Sequence, residues 1–386
     1  MSVALRKSPE NAIDPGRGAS RRLAAHIRRS IDSGDLQPGD RLPGIRELTK
    51  RFQLGYSTVN RALVLLVQEG WAVSRQGEGT FVRHATKSRA APSRTAAFAL
   101  VALDVAMGYY RHLLAAFEQF ANRSGRPAFI CNSANNVDRQ GNHLMGLLDQ
   151  QVAGVVLNPP AETLTPPYHV RVLQNAGIPV VLLHRSVPNV SAPVLDLPGM
   201  EVGRRGGQLL IEAGHRRIAF LDSCRTAENE QCVMGLREVL SDLGVELPDE
   251  LVHFSMHEGF DRADFYDRYK SHVDEVVPRM LSINSPPTAL FLGWSEIAEH
   301  VYLLALRMGL RVPEDLSIIC LGGAHCEGAI LNRLTTVTID ETAVAEQAVQ
   351  LLMEMQKGKR PIIDGEVIPL SLSFRAGETL GPPARR

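Results

Sequence analysis

Tyr56, Ser57, Thr58, Asn60 and Arg61 form the first group in the chain whose types and spacing could do chemistry. Hydroxyls, an amide and a guanidinium are hydrogen-bonding groups suited to phosphate oxygens and base edges, not nucleophiles. Apolar Val59, Leu63, Leu66 and Val67 recur among them at helical spacing, so the polar set occupies the opposite face of a helix beginning at Tyr56. Arg46, on a shorter helical pattern just before it, and Arg75, just after it, are placed for phosphates. Trp71, Val73 and Phe81 alternate with polar residues on either side of Gln76-Gly77-Glu78-Gly79, which predicts a strand–turn–strand hairpin. Its tip, Gln76 and Gly77, is small enough to enter a minor groove, because glycine lets a tight turn approach another backbone closely.

These side chains need a small domain to position them. Leu23, Ile27 and Ile31 lie four apart and predict a first helix with Ser20 as its N-cap, ended by Gly34 and the turn Gln37-Pro38-Gly39-Asp40. A second helix runs from about Ile45 to Phe52, and the third from about Tyr56 to Glu69, closed by Gly70. Leu23, Ile27, Leu48, Val59, Leu63, Leu66 and Trp71 would supply the core. Three helices followed by a hairpin describe a winged helix-turn-helix over residues 19–83, docking its third helix in the major groove of double-stranded DNA. Charge agrees with this reading. Residues 1–94 carry 17 Lys and Arg against 8 Asp and Glu, and the remainder carries 25 against 34, so a basic head sits on an acidic body of near-equal opposite charge. Residues 1–18 read as a disordered tail, and residues 84–95, rich in Ala, Ser, Arg and Pro, as an exposed linker.

From Ala96 the pattern changes to short apolar runs alternating with helical stretches. The runs are Ala97–Asp104, Ala128–Cys131, Gly154–Asn158, Ile178–His184, Ile218–Asp222, Leu251–Phe254, Ala289–Gly293 and Ser317–Gly322. Tyr110–Asn122, Arg139–Gln150, Gly199–Ala213 and Glu296–Met308 are the clearest helices between them. Such alternation predicts parallel sheets covered by helices, and its length predicts two α/β lobes over residues 96–376, with 377–386 as a tail. In open α/β sheets ligands bind beyond the carboxyl ends of the strands. The pocket candidates are therefore Asp104, Met107–Tyr110 with Tyr109 and Tyr110 foremost, Asn132–Asn135, Asn158, His184, Arg185, Asp222–Cys224, Trp294, Ser295 and Gly322–His325. Aromatic faces there can stack on a sugar or another planar ligand, and Arg185 can fork to hydroxyls or a carboxylate.

Several function classes find no support. The longest apolar runs are far shorter than a membrane span, and the N-terminus lacks the apolar core of a secretory signal, so the expected compartment is the cytoplasm. The five cysteines show no zinc-finger or C-x-x-C spacing and are expected as free thiols, with Cys131 and Cys320 in the core. His253 and His257 are four apart with Glu258 adjacent, but on a strand running into a loop that spacing does not make a metal site. His215, in a Gly-His-Arg-Arg turn, reads as structural. No phosphate loop and no Gly-x-Ser-x-Gly elbow is present, so no catalytic set, metal or cofactor is expected.

Two family resemblances sharpen this reading. Gly34–Pro43, Arg46-Glu47-Leu48, Thr58-Val59, Ala62-Leu63, Gly70 and Gly77-x-Gly79-Thr80-Phe81-Val82 resemble the N-terminal domain of GntR-family transcriptional regulators. The chain departs from that pattern at Gly44, where the family usually has Ser, and at Gly55-Tyr56, where it usually has Ser-Arg; the second change bears on the operator sequence. The body resembles the effector-binding core of LacI/GalR-type regulators, through Ile178–Val181, Ala213–Phe220, Gly309–Ile318 and Leu334–Val337. That resemblance implies a periplasmic-binding-protein-like fold and a small-molecule effector, with a sugar among the candidates, between the lobes; both resemblances imply a homodimer. It also implies a ligand contact at Arg185, which is retained, and another at position 232, where this chain has Cys232. The family's polar pairs after two strands are replaced by Trp294-Ser295 and Gly322-Gly323. A ligand-responsive repressor is the function these features imply. A DNA-binding regulator with a vestigial sensor and a cytosolic α/β enzyme fused to a DNA-binding domain stand as alternatives.

Overall fold

The structure, a computed structural model, describes residues 19–32, 35–37, 39–68, 71–75, 79–82, 96–161, 163–256, 262–325, 327–359 and 365–384. The expected tail at 1–18, the linker at 84–95, the helix stops Gly34 and Gly70, the wing tip Gln76-Gly77, the Arg75 side chain, His257, Glu258 and Cys326 lie outside the described residues. The chain divides into two compact units, Met1–Ser93 and Arg94–Arg386.

The first unit contains α1 (Ala19–Asp32), α2 (Ile45–Phe52), α3 (Tyr56–Gln68), β1 (Ala72–Arg75) and β2 (Gly79–Val82). Ser20 lies inside α1 and does not cap it. Leu23, Ile27, Leu48, Val59, Ala62 and Leu66 are all completely buried and form one core. Two expected core positions differ. Val67 is exposed, because the inward stripe of α3 runs through Val59, Ala62, Leu63 and Leu66. In the hairpin the inward side chains are Ala72 and Val82, paired across the ladder, while Val73 opposite Phe81 is exposed. A period of two can be read in either phase, and small Ala72 hid the true one.

The second unit holds two six-stranded sheets. Its elements are β3 (Phe98–Ala102), α4 (Gly108–Arg123), β4 (Ala128–Asn132), α5 (Val137–Asp149), β5 (Gly154–Leu157), α6 (Pro167–Asn175), β6 (Val180–His184), β7 (Val194–Asp196), α7 (Gly199–Glu212), β8 (Ile218–Cys224), α8 (Ala227–Ser241), β9 (Val252–Met256), α9 (Arg262–Leu281), β10 (Ala289–Leu292), α10 (Ser295–Arg307), β11 (Ser317–Gly323), β12 (Thr335–Ile339), α11 (Glu341–Gln356), β13 (Val367–Pro369) and β14 (Leu372–Arg375). One sheet has the order β13-β7-β6-β5-β3-β4 and the other β14-β12-β11-β10-β8-β9. Every pairing is parallel except that of β14 with β12. Strands β3, β5, β6, β8, β10, β11 and β12 are buried along their whole length, as continuous apolar runs in helix-covered parallel sheets must be. Edge strand β4 is only half-buried, which leaves Cys131 partly exposed, whereas Cys320 in β11 is fully buried. Cys131, Cys224, Cys232 and Cys320 are free thiols.

The chain passes from one sheet to the other between Asp196 and Gly199, after Ile339, and between Pro369 and Leu372. The Leu370 amide donates to the Asp196 carbonyl (2.9 Å), tying two of these passages together. Behind the second sheet α7 and α8 meet backbone to backbone. A Cβ on Gly203 would fall 1.9 Å from the Cys232 carbonyl oxygen, and one on Gly235 2.0 Å from that of Met200. Only glycine allows that approach.

Residues expected as a tail from 377 instead belong to the fold. The Ile318 amide donates to the Thr379 carbonyl (2.8 Å), the Thr379 hydroxyl donates to the Ile318 carbonyl (2.6 Å), and His215 is bonded to the Gly381 carbonyl (2.9 Å). Polar Gly-Glu-Thr carries no apolar periodicity, so pairing made by backbone and hydroxyl groups left no trace in the pattern. The same contacts, with His215 Nδ1 2.8 Å from Thr288 Oγ1, give the fully buried His215 its structural place.

Candidate functional site

In the first unit, α3 begins at Tyr56 with the Thr58 and Val59 amides bonded to the Gly55 carbonyl. Tyr56 is 63% exposed; Ser57, Asn60 and Arg61 are exposed and Thr58 half-exposed. The first turn carries no acid, which keeps the positive end of the helix open to phosphate. Arg46 is exposed on α2, whose last turn adds Lys50 and Arg51. Sequence reasoning did not single out Arg41. It bridges Phe81 in the wing, and its guanidinium lies so close to Gly79 that a Cβ there would be 3.0 Å from Nε. Its place in the basic Arg-Leu-Pro run was the available signal.

In the second unit, the N-terminus of α4 and the ends of the strands meet between the lobes. The Tyr109 hydroxyl lies 2.9 Å from His184 Nε2, and Asn158 Nδ2 donates to the Tyr110 hydroxyl (2.6 Å) and faces His184 Nδ1 (3.2 Å). Burial, with Arg185 adding to it, pushes His184 down to about 3. Burial pushes both phenols up. The Tyr109 ring lies 6.1 Å from Trp294 of the other lobe. The Gly108 amide donates to Glu296 Oε1 (2.8 Å), and His112 stacks on His325 at 5.5 Å. Arg185 donates through Nε to Glu228 Oε1 (2.9 Å) and through Nη1 to the Pro159 carbonyl (3.0 Å). Burial works to raise Glu228, but the Arg185 charge and hydrogen bonds from Arg185, Thr226 and its own amide together outweigh it, and the carboxyl ends lower than usual.

The structure thus brings Tyr109, Tyr110, Arg185 and Trp294 together. The other candidates have local partners: Asp104 accepts from the Ala106 amide, Asn135 from the Ala161 amide, and the Ser295 hydroxyl donates to Glu296. Cys232 is buried beside Asp222, Glu228, Asn229 and Gly293 around a small cavity under α7 and α8. Sequence reasoning missed Glu228, Glu296, Glu341 and His112, because they lie within helices and not directly after a strand. Two of the carboxylates explain neighbouring glycines. A Cβ on Gly293 would fall 1.7 Å from Asp222 Oδ2, and one on Gly323 1.7 Å from Glu341 Oε1. Glu341 therefore fills the space a side chain at 323 would take. Burial pushes Asp222 up to about 7 against the lowering effect of Ser223, and burial followed by the charge of Glu228 pushes Asp196 up to about 6. His325, Asp340 and Glu341 lie close enough to hold an ion, yet Asp340 caps α11 by accepting from the Thr342 and Ala343 amides, and Glu341 accepts from Ala324 and is bonded to His325.

An exposed helix-turn-helix face in one unit and a two-lobed cleft in the other define a ligand-responsive, DNA-binding transcriptional regulator. Residues 19–82 match the model of the bacterial regulatory proteins of the gntR family, and residues 208–377 that of the periplasmic binding protein-like domain, so the chain joins a GntR-type DNA-binding domain to a sensor of that fold. The arabinose metabolism transcriptional repressor of Geobacillus stearothermophilus is 24% identical over 90% of this chain and 93% of its own. The transcriptional repressor PurR of Mannheimia succiniciproducens is 26% identical over 64% of this chain and 70% of its own. Among solved structures, a LacI family transcriptional regulator from Mycobacterium smegmatis shares the fold, with a TM-score of 0.60 and 22% identity over 74% of this chain and 99% of that one. Among the described residues no helix is long and apolar enough to cross a membrane.

Proposed function

We propose that this chain is a cytoplasmic, homodimeric repressor of sugar metabolism without enzymatic activity, its winged domain at 19–83 reading an operator and its sensor, from 96 onward, binding a sugar-like effector between the lobes. The names of its full-length relatives support the process. The observation that carries the reading is the division of α3: Val59, Ala62 and Leu66 are buried without residue, while Tyr56, Ser57, Asn60 and Arg61 on the same helix face solvent. In the proposed complex Tyr56, Ser57, Thr58 and Asn60 meet base edges, and Arg46, Arg61 and Arg75 meet phosphates. Closure of the lobes about the passages near Asp196, Ile339 and Leu370 would change the spacing of the two winged domains in a dimer, and with it the match to half-sites.

The test is selection on random DNA followed by gel-shift titration with and without a panel of sugars. A palindromic motif whose affinity shifts with one sugar is expected. Absence of any enriched sequence refutes the reading. A second reading, a sensor that binds nothing, draws support from Arg185, whose guanidinium is already engaged by Glu228 and the Pro159 carbonyl. Melting measured across the same panel separates the two, because a ligand that binds only the folded state raises the melting temperature.

A further inference from the structure

Charged groups of the protein itself bridge its two lobes. Strands β3, β5 and β6 share one sheet, with α4 following β3; strands β8 and β10 lie in the other, followed by α8 and α10. Both α8 and α10 carry a glutamate in the first turn, Glu228 and Glu296, and each reaches the opposite lobe. Glu228 Oε1 accepts from Arg185 Nε at 2.9 Å, the two side chains being 11% and 21% exposed. Glu296 Oε1 accepts from the Gly108 amide at 2.8 Å. That amide opens α4, whose N-cap, Met107, makes no side-chain bond and whose first turn holds no acid. Glu296 therefore caps a helix of the other lobe, satisfying an end that the residues of α4 leave open.

Ring contacts lie beside both bonds. Tyr109 faces Trp294 at 6.1 Å, and His112, one turn further along α4, stacks at 5.5 Å on His325 from beyond β11. Glu228 also stands near the first passage between the sheets, where its charge adds to burial in raising Asp196. Hydrogen bonds to a carboxylate are stronger than neutral ones, and a separation of about 1 Å is enough to break them. Opening of the lobes therefore costs both bonds, and neither bond needs a ligand in order to form.

We propose that Glu228 and Glu296 are a latch that holds the lobes closed when no effector is bound, so that closure is the resting state of the sensor and entry of an effector requires release. The latch stands without any ligand; its link to effector entry rests on the cleft being the effector site. It gives the engaged Arg185 a role other than loss of sensing, because the guanidinium stays covered until the lobes part. Only the unlatched fraction of molecules admits an effector, so apparent affinity is reduced by that fraction and rises when the latch is cut.

The test reads the lobes of the full chain with no ligand added. In a Trp71→Phe background Trp294 is the single tryptophan, and acrylamide quenching of its fluorescence reports access to the space between the lobes. Hydrogen exchange of the peptide spanning residues 104–112 reports the Gly108 amide. Glu228, on α8, lies on a different element from either reporter. Glu228→Ala should raise the Trp294 quenching constant by about twofold or more and speed exchange of the peptide by about fivefold or more. Glu228→Gln, which keeps an acceptor for Arg185, should do the same to a smaller extent and serves if the alanine variant does not fold. The double variant Glu228→Ala, Glu296→Ala should show the largest quenching, and circular dichroism checks that each variant is folded. Trp294 quenched as readily in the parent as in the double variant overturns the latch. A folded Glu228 variant with both readouts unchanged also overturns it. The same readouts repeated with a panel of sugars separate the two proposals. Variants that loosen the lobes while no sugar binds parent or variant uphold the latch and remove the effector reading. A sugar that binds parent and double variant equally well keeps the effector reading and overturns the latch as a gate.

Discussion

Replacing Asp222 by Asn should remove a specific pH dependence from the stability of the sensor. Burial lifts this carboxyl from 3.8 to about 7. A shift of about 3 units corresponds to about 4 kcal/mol of preference for the protonated form in the native state. Because the native pKa is raised, the stability it represents is fully present below about pH 4 and is lost as pH rises through about 7. His184 works in the opposite sense, since its native value is lowered from 6.5 to about 3. Its contribution is present above pH 6.5 and is lost as pH falls towards 3, so the two largely mask each other in the parent profile. The difference between parent and variant isolates Asp222. Asparagine keeps the oxygen facing Ser223 but sets an amide where Oδ2 has no partner, a cost of about 1–3 kcal/mol that does not change with pH. Urea unfolding at pH 4.5, 6 and 8, followed by Trp294 fluorescence in a Trp71→Phe background, reads the sensor alone. Relative to its parent, Asp222→Asn should gain about 3 kcal/mol between pH 4.5 and pH 8. A difference that stays constant to within about 1 kcal/mol would refute a buried, titrating Asp222.

Three further outcomes are expected. Arg185→Met strands Glu228, whose side chain is 11% exposed, and should cost about 1–3 kcal/mol in urea unfolding; Glu228→Gln in the same background should restore most of that. Gly203→Ala drives a methyl into the Cys232 carbonyl across α7 and α8 and should cost about 1–3 kcal/mol, lowering the melting temperature by roughly 3–10 °C; an unchanged melting curve would mean the helices are free to separate. Arg46→Ala should weaken binding to all DNA sequences alike and lower the slope of log affinity against log salt by about 1, which gel-shift titration at several salt concentrations measures.

What could be read in the sequence followed from how each contact is made. The apolar runs that became β3, β5, β6, β8, β10 and β11 were legible because parallel strands covered on both faces must be apolar throughout. Short β7 and β13, and β12 with its alternating threonines, lack such runs; their places are set by partners far along the chain. In the site, Tyr109, Tyr110, Arg185 and Trp294 were found because a rule of position, the residue after a strand, applies to them. No local rule reaches Glu341, one residue into a helix, whose role is defined by a glycine 18 positions earlier.

That glycine shows how a site can be misread from one sequence. Gly322-Gly323, standing where the family resemblance leads one to expect a polar pair, suggests a pocket that has lost its polar groups. The structure gives the opposite reason for the glycine at 323: no side chain fits there because the carboxylate of Glu341 already occupies the space, and Asp222 stands in the same relation to Gly293. Acidic character is thus kept while the backbone positions that bear it change. A pocket read residue by residue against a pattern counts such a change as loss. Read as volume, the same strand ends keep two buried carboxylates, each filling the space over a glycine. Comparing Gly323→Ala with Glu341→Ala and with the double variant tests this directly. If the glycine exists to admit the carboxylate, Gly323→Ala alone should lower the melting temperature, and adding Glu341→Ala should restore it by freeing the space. Additive losses in the double variant would show that the two positions do not share that volume.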